Sequence, residues 1–144
     1  MKAIAILISA FLFSTTLSAQ SQPVKWNVAV SPVTDGYRTL TATATIDEGW
    51  HLYSQHTDPE GPVPTSFSYE GITPEGPTVE LSKADKGYSE LFDLEVIQFE
   101  GKAKFEQKFR SKKGAKMMTA TINFMCCDAD KCLPPSDVEF TLQL

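Results

Sequence analysis

Apolar and polar residues alternate with a period of two along most of the chain, and no window of useful length places apolar residues at helical spacing. The clearest run is Thr39 to Ile46, where Leu40, Ala42, Ala44 and Ile46 point one way and Thr39, Thr41, Thr43 and Thr45 the other. The end of the chain repeats the pattern, with Val138, Phe140, Leu142 and Leu144 set against Glu139, Thr141 and Gln143. Between Lys116 and Cys126 the inward set is Met118, Ala120, Ile122, Phe124 and Cys126, and the outward set is Met117, Thr119, Thr121, Asn123 and Met125. Further strands are expected over Val24 to Val30, Trp50 to Gln55, Thr65 to Tyr69, Glu95 to Glu100 and Lys102 to Arg110. Turn signals separate them: Thr34-Asp35-Gly36, Asp47-Glu48-Gly49, Glu100-Gly101, Lys113-Gly114 and Pro134-Pro135. Two stretches fit no regular strand. Asp58 to Pro64 reads as a rigid, extended loop, and Lys83 to Asp93 as a polar segment ending in the apolar pair Leu91-Phe92.

Many short strands at this spacing predict an all-β protein, an immunoglobulin-like two-sheet β-sandwich. The first twenty residues are different material: Lys2, an apolar stretch from Ala3 to Phe13, then small and polar residues up to Ala19-Gln20. That is the pattern of a secretory signal peptide over residues 1 to 20, too short in its apolar part to span a bilayer. The remaining 21–144 is expected to be one domain, exported to a compartment where disulfides persist, which in a bacterial cell is the periplasm. A formal charge of −5, from 13 Lys+Arg against 18 Asp+Glu, with no basic stripe excludes nucleic acid as the expected partner.

All three cysteines fall close together, in Phe124-Met125-Cys126-Cys127-Asp128-Ala129-Asp130-Lys131-Cys132-Leu133-Pro134-Pro135. A structural staple stabilises by closing a long loop, and a bond within this stretch would close a very short one. The placement therefore points to a redox-active pair at an exposed loop tip. Cys126 continues the inward series, so its sulfur should enter the core as a small hydrophobe. Cys127 falls on the other face at the strand end, and Asp128 to Lys131 would return the chain to Cys132. Cys127–Cys132 is the expected bond. Cys126–Cys132 stays open as the alternative, because a bulge at the strand end would reverse the parity. Asp128 and Asp130 disfavour a thiolate beside them, with only Lys131 in opposition.

Cys127 to Pro135 resembles the redox signature of the N-terminal periplasmic domain of DsbD-type thiol:disulfide interchange proteins, and Glu48-Gly49-Trp50-His51-Leu52-Tyr53-Ser54 is similar to that family's Gly-aromatic-x-Leu-Tyr strand. The resemblance implies an immunoglobulin-like module that receives electrons from a membrane-embedded thiol reductase of DsbD or CcdA type. It would hand them to periplasmic thioredoxin-like proteins, with a link to cytochrome c biogenesis. It also implies a Phe-bearing loop that caps the disulfide; by position Phe92, with Glu90, Leu91 and Asp93, matches that cap. Tyr53 would lie beside the disulfide, with His51 two residues earlier on the same face. The family's membrane and thioredoxin-like domains have no counterpart in this sequence, so the donor is expected to be a separate polypeptide.

Other chemistry is poorly supported. His51 and His56 have no zinc spacing to the cysteines, and no Ser-His-Asp set can be assembled from them. Copper(I) would suit the sulfurs of Met117, Met118, Met125 and the cysteines, but Met117 and Met118 should face opposite ways. No metal and no cofactor are expected. The competing reading of a different class is a non-catalytic exported β-sandwich binding or assembly module with a structural hairpin disulfide.

Overall fold

The computed structural model describes residues 22–144; the expected signal peptide lies outside the described residues. Twelve strands follow in order: β1 Val24–Val30, β2 Arg38–Ile46, β3 His51–Tyr53, β4 Ser66–Glu70, β5 Ile72–Pro74, β6 Val79–Glu80, β7 Asp85–Ser89, β8 Leu94–Phe99, β9 Lys102–Ser111, β10 Met117–Phe124, β11 Cys126–Cys127 and β12 Ser136–Gln143. Among the described residues there is no helix, as the period-two pattern requires.

The strands form three antiparallel ladders. The first runs β1-β2-β9-β5, with β6 also paired to β9. The second runs β12-β10-β4 and the third β11-β3-β8-β7. The Thr39–Ile46 alternation appears in the burial of β2: Leu40, Ala42, Ala44 and Ile46 are buried between the threonines. Their neighbours on β9 are Ala103, Phe105 and Phe109, and Met118, Ala120, Ile122 and Phe124 of β10 join the same core. Leu52, Phe99 and Cys126 join it from the third ladder. Trp26 stitches the ladders together, with ring centroids 5.7 Å from Phe105, 6.2 Å from Phe67 and 5.6 Å from Phe124. Fully burying a large core side chain such as Phe99 or Phe105 contributes about 1.5–3 kcal/mol relative to exposure.

The crossing between sheets depends on one residue. β4 pairs with β10 and β5 pairs with β9, so the chain changes ladders at Gly71. Gly71 has φ 78°, and a Cβ there would stand 2.4 Å from the carbonyl oxygen of Met117. Only glycine satisfies both the left-handed backbone and the close approach.

Three differences from the sequence expectation bear on the site. The Trp50–Gln55 strand contracts to His51–Tyr53, because the Trp50 N–H closes the preceding turn on the Asp47 carbonyl at 3.1 Å. The segment from Lys83 to Asp93 is not strandless, since Asp85–Ser89 pairs with β8 as an edge strand. It exposes too little apolar surface to the core to show a pattern. The Lys116–Cys126 strand divides: β10 ends at Phe124, and Cys126–Cys127 leaves β12 to pair with Leu52 and His51 of β3.

Candidate functional site

The disulfide joins Cys127 to Cys132, with the two Cα atoms 4.0 Å apart, and Cys126 remains a free, buried thiol. The parity argument thus selects the right pair. Cys126 enters the main core, and burial pushes its thiol up to about 11, so it stays protonated and unreactive at neutral pH. Cys127 faces away from that core, as expected, but it is not at an exposed tip. It is 1% exposed and forms a second, smaller apolar cluster with Tyr53 and Val96, against which Phe92, Leu94, Met125 and Cys132 pack. The cause is the change of ladder at Met125: once β11 pairs with β3, the outward face of the strand lies under β8 and its turn. Cys132 is the less buried of the two sulfur-bearing residues.

The hairpin between the cysteines is held by its own backbone and by one carboxylate. Asp128 N–H donates to the Lys131 carbonyl at 2.9 Å, and Leu133 N–H to the Cys126 carbonyl at 3.0 Å. Asp128 Oδ1 accepts from the N–H groups of Asp130 at 2.9 Å and Lys131 at 2.8 Å. These two bonds hold the Asp128 carboxyl below the usual carboxylate range. Lys131, the hairpin's one cation, stands over the Trp50 ring at 5.9 Å.

The segment expected to cap the disulfide is a tight four-residue turn. Glu90, Leu91, Phe92 and Asp93 connect β7 to β8, whose last pair is Ser89 with Leu94. Asp93 adopts φ 55°, a conformation that aspartate tolerates better than most residues, and its side chain accepts a hydrogen bond from the Tyr88 hydroxyl. The turn points Phe92 inward over the disulfide cluster, where it meets Tyr53 edge to face at 6.0 Å. Tyr53 is buried, and its phenol is pushed up to about 12, first by burial and then by the nearby Cys126. Thr65 Oγ1 fixes β3 by donating to the Tyr53 carbonyl at 2.6 Å, and Ser54 N–H bonds the Ile97 carbonyl at 2.9 Å.

Of the sequence-derived candidates, the structure brings Cys127, Cys132, Phe92 and Tyr53 into one cluster. His51, Glu90 and Leu91 line a groove beside it with Tyr53, Gln98, Asp128 and Ala129. His51 Nε2 bonds Glu100 Oε1 at 2.8 Å. Asp93 serves the cap turn rather than the groove wall. Sequence reasoning missed Tyr88 and Gln98 in that wall, because both lie on a ladder whose pairing it did not see. It also missed the Asp58–Pro64 loop as a support: a Cβ at Gly61 would stand 3.1 Å from the Leu94 side chain, and Val63 N–H donates to Met125 Sδ at 3.4 Å. His56 is exposed and apart from the groove.

A family model described as "Thiol:disulfide interchange protein DsbD, N-terminal" matches residues 18–144. The chain belongs to the DsbD N-terminal domain family. This family takes part in thiol:disulfide exchange, and its immunoglobulin-like fold is the one observed here. Among solved structures, the N-terminal periplasmic domain of ScsB from Proteus mirabilis is similar with a TM-score of 0.69 at 10% identity, over 86% of this chain and 47% of that one. The present chain thus spans about half the length of that ScsB domain. The Neisseria meningitidis DsbD N-terminal domain in its reduced form gives a TM-score of 0.58 at 15% identity, covering 82% of this chain and 84% of its own. The same Neisseria domain, in a structure concerned with its complex with the PilB N-terminal domain, gives 0.54 at 16% identity, with 81% and 80% covered. At these identities the structures testify to the DsbD N-terminal fold alone. No curated protein matches the chain in sequence. Among the described residues no helix is long and apolar enough to cross a membrane.

Proposed function

We propose that this domain is a periplasmic electron carrier in which Cys127 and Cys132 cycle between disulfide and dithiol. Its donor would be a membrane-embedded thiol reductase of DsbD or CcdA type, and its acceptors periplasmic thioredoxin-like proteins. The observation that carries the reading is the position of the bond, under Phe92 and beside an open groove, in a cluster separate from the core. A bond that served folding alone would have no use for a cap on a turn. The ScsB relative's description as a periplasmic domain, and the Neisseria domain's complex with PilB, support the compartment and the protein-to-protein character of the exchange.

In this reading a donor thiolate attacks Sγ of Cys132, the less buried sulfur, forming a mixed disulfide and expelling the Cys127 thiolate, which takes up a proton. A second donor thiol then attacks its own sulfur in the mixed disulfide, leaving the donor oxidised and Cys127 and Cys132 as thiols. Passing the electrons on runs the same steps in reverse: the Cys132 thiolate attacks the acceptor's disulfide, and Cys127 resolves the mixed bond. Asp128 and the apolar cluster both disfavour a standing thiolate, so the reduced pair is slow toward small oxidants.

The deciding experiment is a mass-spectrometric thiol map before and after incubation with a catalytic amount of a reduced thioredoxin-like protein. The expected result is an opened Cys127–Cys132 bond, an unlabelled Cys126 and an unchanged circular dichroism spectrum. A bond that stays closed, with a fold that weakens when a strong chemical reductant cuts it, would overturn the proposal in favour of a structural disulfide.

A further inference from the structure

The groove beside the disulfide exposes an aromatic and a leucine among polar and acidic side chains. Tyr88 is 65% exposed and Leu91 46%, although each stands next to well-packed residues of the cap hairpin. Both line the groove between the cap turn and the cysteine hairpin. The charged groups on the groove wall are the carboxylates Glu90 and Asp128, apart from His51, which is already hydrogen-bonded to Glu100. Asp93 follows on the cap and Asp130 on the hairpin, both exposed. Lys86 lies 3.7 Å from Glu95, and Lys131, the one cation on the cysteine hairpin, offsets only part of this charge.

We propose that this face docks a thiol-bearing protein whose reactive cysteine is ringed by Lys and Arg, and that its acidic side chains select among thiols by charge. The inference rests on the exchange reading and gives its partner a chemistry. The attacking group is a thiolate, itself an anion, and Glu90, Asp93, Asp128 and Asp130, with Lys131 against them, disfavour its approach across this face. Cations flanking the partner's cysteine reverse that opposition, speed the encounter and fix its orientation. Tyr88 and Leu91, exposed among these charges, supply the apolar contact such interfaces use. An anionic small thiol gains from neither feature. It meets the carboxylates first and has nothing to displace Phe92.

The test uses the oxidised protein and two end-blocked peptides, each with one central cysteine, flanked in one by lysines and arginines and in the other by glutamates. Formation of the mixed disulfide at Cys132 is followed by mass, and each rate is divided by that peptide's thiolate fraction. The expected result is a cationic peptide faster by about tenfold or more at low salt. The ratio should fall toward one at about 0.5 M salt, where the screening length shrinks to a few ångströms. The double variant Glu90→Gln/Asp130→Asn should lower the low-salt ratio; Asp128 is left intact because it holds the hairpin. Equal corrected rates for the two peptides, insensitive to salt, would overturn charge selection and leave the exchange reading standing. Failure of both peptides to form any mixed disulfide would overturn the two together.

Discussion

Phe92 and Cys126 are the two residues whose packing makes the sharpest predictions about thiol reactivity. Phe92 is a large apolar side chain on a tight polar turn, held over the disulfide by its edge-to-face contact with Tyr53. A pair of this kind contributes about 0.5–1.5 kcal/mol beyond its buried area. Phe92→Ala should therefore raise the fraction of open cap, and with it the iodoacetamide alkylation rate of the reduced Cys127/Cys132 pair, by roughly two- to tenfold. Unchanged rates would remove the cap from the mechanism. Cys126 should behave in the opposite way. Its thiol is buried and pushed up to about 11, so at neutral pH it should resist alkylation until the chain is unfolded in denaturant. Labelling of Cys126 in the folded protein at the rate of the reduced pair would contradict its placement in the core.

At the scale of elements, the third ladder builds the site. β3 supplies Tyr53 and His51, β8 supplies Val96 and Leu94, and β11 delivers Cys127 by leaving β12 and pairing with β3. The cap turn is then the end of the β7–β8 hairpin, held to it by the Tyr88–Asp93 hydrogen bond. Tyr88→Phe removes that bond and leaves the ring, so it should loosen the turn and speed alkylation of the reduced pair without a measurable loss of thermal stability. The corner at Gly71 carries a different load. Gly71→Ala forces a Cβ against the Met117 carbonyl and strains a left-handed backbone, and should cost roughly 1–3 kcal/mol in urea unfolding. Because the corner lies between the first two ladders and the cysteines belong to the third, the exchange rate of the folded variant should be unaffected.

At the scale of the whole molecule, stability should fall on the alkaline side. Cys126 is raised from 9.0 to about 11, and Tyr53 and Tyr69 from 10.0 to about 12, all three mainly by burial. Each group holds its proton more tightly folded than unfolded, so the stabilisation is full below the unfolded values and is lost as pH rises through the folded ones. Urea midpoints should thus decline from about pH 9 upward, and Cys126→Ala should flatten the first part of that decline, between about pH 9 and 11. Equal slopes in the variant and the parent would show that Cys126 ionises freely in the folded state. Reduction of the disulfide should cost much less than removal of a long-range staple: a loop this short is worth roughly 2 kcal/mol against nearly 5 for a loop of a hundred residues.

The strands that build the core are legible in the chain because each buries one face, and burying one face of a strand imposes a period of two. β1, β2, β9, β10 and β12 lie within a residue or two of their expected ranges for that reason. The disulfide pair follows from the same parity. What no local pattern carries is pairing between strands with few buried side chains. β7 is a polar edge, β5 and β6 are short additions to β9, and β11 is two residues long, so none of them leaves a periodic signature. Their positions are decided by hydrogen bonds to partners distant in sequence, such as Cys127 opposite His51 and Tyr88 opposite Glu95. The chain by itself thus determined an all-β sandwich and which cysteines form its disulfide. Tertiary structure alone decided that Cys127 is buried rather than exposed, because its covering by Tyr53, Val96 and Phe92 exists only once β11, β3 and β8 lie side by side.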